Sequence, residues 1–110
     1  MKELYPVKVQ KVVAALLTGP AICAPALRQS IEAYAARLAG SARDAQEIPG
    51  ALAAYVDKVT SCAYKITDED VQGLKEAGYS EDAIFEITLC ASLGAGLARL
   101  ERGLLALKGN

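Results

Sequence analysis

The chain has 110 residues, 53% hydrophobic, 23% charged and 5% aromatic, which suits one small domain, 1–110, with a single core. Alanine and leucine dominate the apolar content and favour packed helices over a sheet. The absence of histidine excludes Ser-His-Asp and Cys-His catalysis, imidazole metal ligation and imidazole acid or base chemistry. Twelve basic and thirteen acidic residues give a net charge of −1 with the signs mixed along the chain, so no nucleic-acid partner is expected, although Lys2, Lys8 and Lys11 gather near the start.

Five helices are predicted, with no strand. Pro6 suits an opening turn, and Val9, Val12, Val13, Leu16 and Leu17 recur on one face until Gly19-Pro20 ends the first helix. Pro25 opens the second, with Leu27, Ile31, Tyr34 and Leu38 as its stripe and Gly40 as its stop. The polar stretch from Ser41 to Glu47 reads as the connection to a third helix, opened by Pro49, with Leu52, Tyr55, Val56, Val59 and Cys62 facing inward. Thr67 caps a fourth helix, with Asp70 completing a shortened capping box, Asp68 and Glu69 in the first turn, and Gly78 as a left-handed stop.

Ser80 caps the fifth helix, which is predicted to run to about Leu107 along a stripe of Ile84, Ile87, Ala91, Gly94, Leu97, Leu100 and Leu104. Further apolar residues from Ile87 to Ala98 make this helix hydrophobic on nearly every side, so it is expected to be buried and to be the element through which subunits assemble. Small residues such as Gly94 and Ala95 would let another backbone approach closely.

Two uncharged runs bear on location. Val12 to Leu27 follows basic residues in the outline of a signal peptide, but Glu3 sits in what would be its basic region and Gly19-Pro20 interrupts it. Ile87 to Ala98 is the other run, and both fall short of the ~18 residues of a membrane span, so a cytoplasmic location without a membrane partner is expected. Cys23, Cys62 and Cys90 are odd in number and far apart, which suits buried, reduced thiols. No closely paired ligand set suggests zinc, and neither a metal nor a cofactor is expected.

Among candidate motifs, Gly94-Ala95-Gly96 lacks the third glycine, the strand and the acid of a dinucleotide site and reads as packing, while Asp68 to Asp70 reads as capping. The stretch Cys62-Ala63-Tyr64-Lys65 can carry chemistry: a thiol here can feel Lys65 and the positive end of the fourth helix, and Tyr64 adds a hydroxyl. The alternative is that Cys62 ends the third helix and Tyr64-Lys65 closes it.

The stretch Tyr64-Lys65-Ile66-Thr67-Asp68-Glu69-Asp70-Val71, then Leu74, then Ala77-Gly78-Tyr79-Ser80-Glu81-Asp82-Ala83-Ile84-Phe85-Glu86, resembles the carboxymuconolactone decarboxylase and alkylhydroperoxidase D-like superfamily. The resemblance covers about 50–107. It implies an all-α, alkylhydroperoxidase D-like subunit that assembles into trimers, hexamers or related homo-oligomers. The peroxidase-like members use a Cys-x-x-Cys pair, a following histidine and an upstream glutamate. Here Cys62 stands near the first cysteine, Lys65 at the second and Asp70 near the histidine, with no clean counterpart for the glutamate. The resemblance therefore implies a divergent member without the dithiol site, binding a small-molecule ligand or partner. Two alternatives are an enzyme using Cys62, Tyr64 and Lys65, with Glu86 or Arg99, as a non-dithiol site, and a structural assembly module.

Overall fold

The computed structural model describes residues 5–44 and 46–109; Lys2 and Glu3, which entered the charge and signal-peptide readings, lie outside them. It contains α1 (Val7–Thr18), α2 (Pro25–Leu38), α3 (Gly50–Ser61), α4 (Asp68–Glu76) and α5 (Glu81–Leu107), and a 3-10 turn at Ala63–Lys65. No strand occurs among the described residues, so the protein is all-α as expected.

Local chemistry sets the element boundaries. Thr67 Oγ1 accepts the amide of Asp70 at 3.3 Å while the Asp70 carboxylate accepts the amide of Thr67 at 2.9 Å, closing the capping box of α4. Ser80 Oγ accepts the amide of Ala83 at 3.1 Å and starts α5. Between these helices Gly78 adopts φ +102°, a conformation that a side chain disfavours.

The core is built on the crossing of α2 and α5, the most extensive helix pair, with α3 packed beside it. Ile31, Leu52, Val56 and Ile87 are fully buried there. At the crossing, Gly94 faces the Glu32 carbonyl and the Ala36 amide, so that an added Cβ would collide with the backbone of α2. The small residue at 94 thus serves close packing of α5 on α2 within the chain.

The rest of the chain covers one face of α5, from Ala83 to Ala98. The opposite face is open: Phe85 is 67% exposed, Leu100 42% and Leu107 84%, with Leu89, Ser92 and Gly96 exposed between them. These positions recur every three or four residues, the spacing of one helical face. By length and composition alone α5 can cross a membrane, yet half of its most apolar 18-residue window is buried within the protein.

Helix α1 differs from the others in having no fully buried residue, although Leu17 packs partly buried against the core. It is tied down near its ends. The hydroxyl of Tyr5, just before it, donates to the Leu97 carbonyl at 2.9 Å, and the Arg28 guanidinium holds its C-terminal end.

Candidate functional site

The three residues singled out from sequence lie where α3 gives way to α4. Cys62 is half-buried as the C-cap of α3, its amide donating to the Lys58 carbonyl at 2.8 Å. The 3-10 turn that follows places Tyr64 84% exposed and Lys65 in solvent, with Nζ 5.8 Å from the Tyr64 ring centroid. Nearby, Lys58 donates to the Asp70 carboxylate at 2.8 Å, and this contact foremost holds that carboxyl below its ordinary range.

Glu86 and Arg99, considered as companions to Cys62, serve the backbone. Arg99 donates to the Thr60 carbonyl at 3.0 Å near the end of α3. Glu86 accepts the amides of Ile22 at 2.9 Å and Cys23 at 2.7 Å, and the Cys23 amide is the first cause of its lowered pKa.

Glu86 belongs to a polar lock around the α1–α2 connection. Arg28 is 3% exposed and donates to three carbonyls, those of Cys23 at 3.0 Å, Leu16 at 2.8 Å and Gly19 at 2.6 Å. The loop backbone is thus held by a cation on its carbonyls and a carboxylate on its amides, which satisfies groups that would be costly to leave unpaired. Cys23 and Cys90 lie in the same region, and burial is the main cause that pushes each thiol up to about 11. A cavity of about 150 Å³ opens beside the lock, lined in part by Arg28, Glu86, Leu89 and Cys90.

A larger concavity lies between α1 and α2, with a volume of about 830 Å³. Its walls include Val13, Ala14 and Leu17 from α1 and Ala26 and Ala33 from α2. Gln29, Ser30, Lys11 and Gln46 add polar groups, and Glu32 and Arg43 form an ion pair at its base. Glu32 is 2% exposed and accepts two bonds from the Arg43 guanidinium, at 2.9 and 2.5 Å. The Arg43 Nε is buried without a partner among the described residues. A concave, largely apolar wall with a few placed polar groups is the usual form of a small-molecule site, and this volume falls in the ordinary range of roughly 300–1,000 Å³.

Neither cavity is lined by Cys62, Tyr64 or Lys65. Sequence reasoning did not single out Arg28, Glu32 or Arg43, although Arg28 and Glu32 carry a readable signal. They sit four residues apart, with Arg28 next to Leu27 and Glu32 next to Ile31, so that two charges run alongside the apolar stripe of α2. Among the described residues no group of three or more Cys, Asp or Glu side chains is placed to hold a metal. In comparisons with known proteins, the chain matches no family model, no curated protein and no solved structure.

Proposed function

We propose that this chain is a divergent carboxymuconolactone decarboxylase-like, alkylhydroperoxidase D-like subunit. In this reading it works in the cytoplasm as a homo-oligomer, of the trimer or hexamer type, and binds a small molecule without dithiol peroxidase chemistry. The groove between α1 and α2 carries the ligand-binding reading. A helix with no fully buried residue, packed through partly buried side chains such as Leu17, is held over an 830 Å³ concavity by bonds near its two ends, and a ligand there adds to its apolar contacts.

Assembly draws support from the uncovered face of α5. Phe85, Leu89, Leu100 and Leu107 form an apolar stripe along one side of a helix already packed on the other. The reading without dithiol chemistry is supported by Lys65 falling, under the resemblance, where the peroxidase-like members carry the second cysteine, and by the lack of histidine in the sequence.

The groove is tested by titrating the isotope-labelled protein with a set of small amphipathic compounds and following its amide resonances. Binding is expected to move resonances of α1 and α2 around Ala14, Leu17, Ala26 and Ala33. Ala33→Trp, which fills the groove, is expected to abolish those shifts while circular dichroism stays unchanged. Shifts that persist in a folded Ala33→Trp protein, or none with any compound, contradict the reading.

A further inference from the structure

The groove is electrically uneven along its length. Where α1 begins it is lined by Tyr5, Lys11 and Arg43, and where α1 meets α2 it is lined by Leu17, Thr18 and Ala26. Arg43 is matched by Glu32, whereas Lys11 has no ion-pair or hydrogen-bond partner among the described residues. The lining residues themselves therefore carry a formal charge of +1, with the Glu101 carboxylate outside the lining, hydrogen-bonded to Ser41.

The start of α1 adds to that positive charge. Among the described residues Pro6 offers no side-chain cap and no acidic residue stands in the first turn, so no carboxylate there opposes the partial positive charge of the helix end. Beyond Lys11 the walls offer an apolar strip of Val13, Ala14, Leu17 and Ala33, edged by Thr18, Gln29 and Ser30. The six residues from Lys11 to Leu17 rise about 9 Å along the helix, a length that suits a short hydrocarbon chain.

We infer that the groove takes a small apolar monocarboxylate, its carboxylate at Lys11 near the start of α1 and its hydrocarbon chain along Val13, Ala14, Leu17 and Ala33. The inference rests on the groove being the ligand site and goes further by naming the ligand's charge and polarity. A single negative charge fits better than a phosphate, because the lining residues carry a formal charge of only +1 and the Glu32 carboxylate lies among them. The chain lies between two helices and removes their facing apolar surfaces from water.

The test uses decanoate and decan-1-ol, which share a chain and differ in charge, titrated separately into the intact protein below the concentrations at which they aggregate. Decanoate is expected to bind about fivefold tighter than the alcohol, the upper end for a partly exposed ion pair. Lys11→Met is expected to remove that advantage, weakening decanoate relative to decan-1-ol by about the same factor; Lys11 is exposed, so the fold is not at risk. Equal affinity of the two probes, or equal weakening of both by Lys11→Met, overturns the inference and leaves the groove reading standing. Binding of neither probe, nor of any other amphipathic compound, overturns both.

Discussion

Gly94 on α5 and Glu32 on α2 meet backbone to backbone, with the Glu32 carbonyl oxygen in the space that a Cβ at position 94 would occupy. The contact fixes how closely the two central helices cross. It also fixes where Glu32 sits, and with it the ion pair to Arg43 at the base of the groove.

Gly94→Ala is therefore expected to destabilise the fold by about 1–3 kcal/mol through overpacking. Gly73→Ala, in the exposed interior of α4 with open space around it, is expected to stabilise by about 0.5–1 kcal/mol. Chemical denaturation of the two variants beside the parent protein reads both signs.

Arg28 supports a second prediction. Replacing it with methionine leaves the carbonyls of Leu16, Gly19 and Cys23 without their donor, at a cost of about 3 kcal/mol. Arg28→Lys is expected to recover only part of that loss, since an ammonium cannot reproduce the planar fork. Hydrogen exchange on α1 reports whether the loss is local, and the amides near Leu16 and Leu17 are expected to exchange faster first.

Acid weakens the same lock. The Glu86 carboxyl has its pKa lowered, chiefly by the Cys23 amide, so its contribution to stability is present above the unfolded-state value and disappears as pH falls through the folded one. Denaturation midpoints are expected to drop as pH is lowered from about 5 to about 3. Glu86→Gln is expected to flatten that dependence without abolishing it, because the carboxyls of Asp70 and Glu81 are lowered in the same direction by Lys58 and Lys75.

The local signals that set the helices were legible in sequence. Thr67 with Asp70, Ser80, Gly78, and the prolines at 6, 25 and 49 act through neighbouring residues, so they mark starts and stops without knowledge of the tertiary fold. The groove was not legible. The α1 stripe reads as core by periodicity, yet Val12 is 58% exposed, because periodicity says which residues share a face and not whether anything covers it. Arg28 and Glu32 were hidden for a related reason: their partners are loop carbonyls and Arg43, brought to them only when the connections fold back on α2. At Cys62 the sequence permits both a reactive thiol and a helix end, and the structure places it as the half-buried C-cap of α3.

The thiols provide a further check. With Cys23 and Cys90 raised to about 11 and buried, an alkylating reagent at pH 8 is expected to modify Cys62 first in the native protein and the other two only on unfolding. Peptide mass spectrometry after timed quenching reads the order. In parallel, peroxide consumption with a dithiol reductant is expected to stay at background and to be unaffected by Cys62→Ser.

Assembly through the open face of α5 is the central claim, and light scattering on the purified chain tests it most directly. The expected mass is a small multiple of 11.5 kDa. Phe85→Lys, placed on an exposed side chain outside the subunit core, is expected to bring that mass down toward 11.5 kDa while the helical circular dichroism is retained. A parent protein that runs as a single 11.5 kDa chain at every concentration contradicts the account.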